Sequence, residues 1–216
     1  MRTLRKTMLV TALVAAMVLA AVGAAVAAEP EVEAPLDLEA LKARVTEQID
    51  TRIASFEDRL EDLEGRDGPL AEQLTALFTQ GIADFEQLKG DVAAATTAGD
   101  VRRLVHRAYQ EFAAHARVRT FYAHVETDLL KFDHRLDRLN QAIARAEEAG
   151  LDTNRATEQA EAAATDLNTA AEVLAGVDPG AIGDGVLAQI RAAHRTAHAA
   201  QWHIRAGFRS LAAQAL

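Results

Sequence analysis

Two histidines, His194 and His198, stand four residues apart near the end of a 216-residue chain. On an α-helix that spacing stacks both rings on one face, where neutral imidazoles can share a metal ion. Trp202 follows one turn further on, with His203 beside it. Two histidines are an incomplete set, because a closed zinc site takes four ligands; the others must come from another helix. A structural reading competes with this one. His194 also falls in the heptad run Leu187, Ile190, His194, Ala197, Gln201, Ile204, Phe208 and Leu211, where a polar core residue would fix register at some cost in stability.

Other residues suited to chemistry are scattered. His106, His115, His124 and His134 are nine or ten residues apart, so successive rings point in different directions and form no single site. Glu111 and His115 are four apart and can meet. No Glu-x-x-His di-iron signature and no His-Glu-x-x-His run occurs. Carboxylate pairs such as Glu57 with Glu61 and Asp133 with Asp137 lie beside Arg59, Arg135 and Arg138, as solvated helix faces do. Nucleophile elbows and phosphate-binding glycine loops are missing. The expectation is therefore no catalytic residue, no enzyme activity and no cofactor. Cysteine is absent and methionine occurs only at Met1, Met8 and Met17, so disulfides, c-type haem and sulfur-ligated metals are excluded beyond residue 28.

The N-terminus accounts for those methionines. Basic Arg2, Arg5 and Lys6, an apolar run from Met8 to Val22, and small residues up to Ala27-Ala28 make residues 1–28 a secretory signal, cut near Ala27 or Ala28. A retained membrane anchor is the alternative, although the run is short of the roughly 20 residues a span needs. No Cys follows to carry a lipid. Loss of the three positive charges would take the net charge from −9 to −12, which argues against nucleic acid as a partner. Residues 29–35, acidic with two prolines, read as a disordered lead-out.

Five helices must position whatever follows. The first spans about Leu36 to Glu64, with Leu41, Val45, Ile49, Ile53, Phe56, Leu60 and Leu63 on one stripe. Gly65 to Pro69 turns the chain into the second, about Pro69 to Ala95, striped by Leu70, Leu74, Leu77, Ile82, Phe85, Leu88 and Val92. Asp100 is the expected N-cap of the third, which nothing interrupts from Val101 to Glu148. At 1.5 Å per residue it is about 75 Å long. Its stripe slips phase between Phe112 and Val118, as at a coiled-coil stammer. Asp152 or Thr153 should cap the fourth, whose stripe is mostly alanine (Ala156, Ala160, Ala163, Leu167, Ala170, Leu174), and Asp184 the fifth.

These lengths predict an all-α, elongated antiparallel bundle: two three-helix bundles, at 36–116 and 117–216, sharing the long helix. A single compact five-helix bundle with a kinked third helix is the alternative. From about Ile49 to Leu211 the chain resembles a family of alanine-rich, exported bacterial helical proteins of uncharacterised function. The resemblance is carried by Ile49-Asp50-Thr51-Arg52-Ile53, Leu88-Lys89 ahead of Val92 and Thr96-Thr97, Ala149-Gly150-Leu151-Asp152 and Asp178-Pro179-Gly180. The chain departs from that family at Ala113-Ala114 and Thr120, where the family has an Arg-Val pair and a proline. The resemblance implies no enzyme activity.

Charge is distributed unevenly. Glu29 to Asp67 holds thirteen acids against five bases, whereas Gly185 to Leu216 holds four arginines, three histidines and no acid. Arg191, Arg195, Arg205 and Arg209 thus form a candidate partner surface, and opposite charges can pair within the molecule or head to tail between molecules. The leading expectation is a non-catalytic exported scaffold, spacer or binding protein, in the periplasm, envelope or medium. Its partner would be a protein or a cell-envelope component, with peripheral contact to membrane or wall as one form. The alternative function is zinc or copper binding through His194 and His198.

Overall fold

A computed structural model describes residues 37–214; the segments expected to be a signal (1–28) and a lead-out (29–35) lie outside them. Five helices and no strand make up the described residues: α1 (Leu38–Leu63), α2 (Pro69–Ala94), α3 (Ala98–Glu148), α4 (Asn154–Ala175) and α5 (Asp184–Ala212). The architecture is an all-α helical bundle. None of these helices is long and apolar enough to cross a membrane.

The helix ends follow from local chemistry. Gly150 takes φ +75° after α3, and Leu151 N–H donates back to the Ala146 carbonyl at 3.0 Å. That six-to-one bond is a Schellman closure, which needs a residue without a Cβ at the left-handed position. At the start of α3 the cap is Thr97 rather than the expected Asp100. The Thr97 hydroxyl accepts from Asp100 N–H at 3.1 Å and donates to the Asp100 carboxylate at 2.6 Å. Asp100 thereby sits inside the first turn, completing a box with the residue three before it. Gly183, not Asp184, holds the cap position of α5, and Asp184 lies in its first turn, where a carboxylate suits the helix dipole. Thr153 caps α4 without a side-chain bond, while Asp152 accepts from Asn154 N–H at 3.0 Å.

The chain gathers into two compact units, each drawn from separate stretches: residues up to 57 with 81–113, and 58–80 with 114–216. The division on α3 falls between 113 and 114, and the α1–α2 turn segment 58–80 groups with the later chain. In the first unit Phe56 stacks on Phe112 with ring centroids 4.9 Å apart and meets Phe85 edge-on at 5.8 Å. Gly81 makes room for this. A Cβ there would come within 2.9 Å of both Phe56 and Phe112. Lys89 pairs with Asp50 at 2.6 Å across α1 and α2.

In the second unit the alanine stripe of α4 is buried as the periodicity implies: Ala156, Ala160, Ala163, Leu167, Ala170 and Leu174. The inner face of α5 differs from the expected heptad. Ile190, Ala197 and Ile204 are inside, but Ala193, Ala200 and Gly207 take the places given to His194, Gln201 and Phe208. The face has turned by one position towards its smallest residues. Small residues on both helices let the backbones approach, and at Gly207 an added Cβ would lie 2.7 Å from Leu139 of α3. This rotation releases His194 from the core centre to its edge.

Near its middle α3 is enclosed on two sides. Between Ala114 and Leu129 only Arg117 and His124 are exposed. Val118 and Val125 join Leu174, Val177, Ile190 and Ala193 in one apolar cluster. Ala116 and Ala123 point roughly the opposite way, on the side where Arg119 donates to Gln73 of α2 at 3.1 Å. The phase slip in the sequence marks the entry to this enclosed segment.

Candidate metal centre

With Ala193 and Ala197 inside, positions 194 and 198 of α5 lie at the rim of the groove between α5 and α3. His194 is half-buried and His198 is exposed. Their rings meet edge to face with centroids 4.4 Å apart. Phe121 lies 5.7 Å from His194, and Phe132 lies 5.6 Å from His198. These two aromatic rings, one towards each end of the pair, give the imidazoles an apolar flank.

Helix α3 supplies what the sequence reading left open. His124 and Asp128 are four residues apart, like His194 and His198, and face them across the groove. One ligand atom each from His124, Asp128 and His194 lies within 4.8 Å of the other two. His124 Nε2 is 3.4 Å from Asp128 Oδ2, and His198 Nε2 is 3.9 Å from the same oxygen. Asp128 is largely covered, and its other oxygen, Oδ1, lies 3.4 Å from Lys131 Nζ. The lysine thus engages one carboxylate oxygen while the second points at the imidazoles.

These distances decide what the cluster can hold. Bonds of about 2.0–2.1 Å around a tetrahedral zinc put ligand atoms about 3.3 Å apart. The His124–Asp128 separation already matches that value. His194 has a ligand atom within 4.8 Å of both of these, and His198 Nε2 is 3.9 Å from Asp128 Oδ2, so an ion here needs these side chains to draw closer. Electrostatics agree: burial holds the His194 imidazole below its ordinary range, with His198 and His124 adding to the effect and Asp128 opposing it. A neutral imidazole is the ligating form.

The remaining sequence candidates sit elsewhere. His203 turns to α4, where its Nδ1 lies 2.8 Å from Gln159 Oε1. His106 bonds Gln110, and Glu111 pairs with Arg107 at 2.9 Å rather than with His115. Glu57, Glu61, Asp133 and Asp137 are exposed. Arg191, Arg195, Arg205 and Arg209 line the outer side of α5, all exposed, and Trp202 among them is 58 % exposed. Protein-family models, curated proteins and solved structures offer no match to this chain.

Proposed function

We propose that this chain is an exported, non-catalytic helical protein that binds one divalent transition-metal ion, zinc or copper, through His124, Asp128, His194 and His198. The observation that carries the reading is the convergence of two i,i+4 pairs on one point, with three ligand atoms inside 4.8 Å and His198 3.9 Å from the shared carboxylate. Imidazole and carboxylate suit Zn²⁺ and Cu²⁺, and the Irving–Williams order favours Cu²⁺. Four protein ligands fill a tetrahedral shell and leave no position for a substrate, the pattern of storage or structural sites rather than catalytic ones. Export is supported by the three-part pattern of residues 1–28.

Electron paramagnetic resonance with one equivalent of Cu²⁺ tests the ligand set. Nitrogen hyperfine splitting from the histidines is expected, reduced in a His194→Ala, His198→Ala double variant. A spectrum of hydrated copper, or one unchanged by the substitutions, would dismiss the proposal.

A further inference from the structure

The outer face of α5 carries a straight row: Arg191, Arg195, His198, Trp202, Arg205 and Arg209, spaced by four and three in alternation. All six are exposed. Such spacing keeps them on one side of the helix over about 27 Å. Among the described residues, none of the four guanidinium groups is paired with a carboxylate. At the centre sits the chain's one tryptophan, with more than half of its surface in water.

A matching row of opposite sign runs along α1 and into the turn that follows it. Glu47, Asp50, Ala54, Glu57, Glu61 and Glu64 are spaced by three and four, and all are exposed. The bases of α1, among them Arg44, Arg52 and Arg59, project from other sides of the helix. Laid antiparallel, the two rows fall into register. Arg191 meets Glu64, Arg195 meets Glu61 and Arg209 meets Glu47; Arg205 meets Asp50, whose carboxylate Lys89 of its own chain also holds, and Glu57 falls opposite His198, which is turned towards Asp128. Trp202 then faces Ala54, the one uncharged residue of the acidic row, whose small side chain leaves room for an indole. The offset within each pair is at most one residue, about 1.5 Å, as between facing positions of antiparallel helices.

We infer that α5 of one molecule docks antiparallel on α1 of a second copy of this chain, with Trp202 as the buried anchor. The charges set partner, direction and register, and the indole supplies apolar area. Exposed ion pairs are individually weak, so the association is salt-sensitive. It does not depend on metal.

The test is sedimentation velocity of the full chain in chelator, at about 0.02 M and about 0.5 M salt, which span weak and strong screening. Association at low salt and its loss at high salt are expected. A variant with Arg191, Arg195, Arg205 and Arg209 changed to Glu should be monomeric, as should one with Glu47, Glu57, Glu61 and Glu64 changed to Arg. Mixing the two should restore association and shift Trp202 fluorescence to the blue. Helical melting by circular dichroism confirms that each variant folds. A wild-type monomer at low salt overturns the inference, as does association that survives the substitutions or a mixture of folded variants that stays monomeric. Binding of monomers to anionic phospholipid vesicles through the arginine row would reassign the face to a membrane.

Discussion

At the scale of single residues, half of the candidate centre was legible. His194 and His198 announce themselves by spacing on one helix, but His124 and Asp128 lie about 70 residues earlier in the sequence. Only the packing of α3 on α5 makes the four converge. The usable signal is a second i,i+4 pair of ligand-type residues on the longest helix, which spacing alone does not set opposite His194 and His198. Ligand loss should be local. A His124→Ala variant is expected to weaken zinc binding by at least about tenfold, whereas His203→Ala, which removes a ring engaged with Gln159, should leave it unchanged; competition against a chromogenic chelator measures both. Glu126 offers a separate test. Burial, reinforced by Glu72, raises its carboxyl above the usual range, so between the unfolded and folded values the native state holds more protons than the unfolded one. That contribution favours folding more as pH falls through the folded value and is unfavourable at neutral pH. Glu126→Gln should therefore raise Tm at pH 7 by about 2 °C, with the gain shrinking towards pH 4; a loss at pH 7 would count against it.

At the scale of elements, the alanine stripe of α4 could be read in full because its polar residues leave no other face to bury. The stripes of α2 and α5 were read less well for one shared reason: glycine and alanine carry little hydrophobic signal yet occupy the closest contacts. Gly81 sits on the buried line of α2 between Leu77 and Phe85, and Gly207 on that of α5, while the bulkier Phe208 points outward. Two substitutions on one helix should thus have opposite signs. Gly81→Ala places a methyl 2.9 Å from two stacked rings and is expected to cost about 1–3 kcal/mol. Gly90→Ala, with nothing within 4 Å of the new Cβ, should stabilise by about 0.5–1 kcal/mol. Urea denaturation of both variants reads the difference directly.

At the scale of the whole molecule, a chain of net charge −9 carries four exposed arginines on the outer side of α5, a helix with no acid after Asp184. The proposed metal ligands sit at the edge of the same helix that faces α3. A bound ion would tie those two helices together, and ligand binding to the native state alone raises stability by about 2.7 kcal/mol at a hundredfold excess over Kd. Zinc should accordingly raise Tm by several degrees, and the effect should vanish with a chelator. The most direct measurement is calorimetric titration of the full chain with zinc at neutral pH, beside a His194→Ala, His198→Ala double variant. Saturation near one ion per chain, lost in the variant, is the predicted result; equal isotherms, or no uptake by the wild-type chain, would contradict a metal centre between α3 and α5.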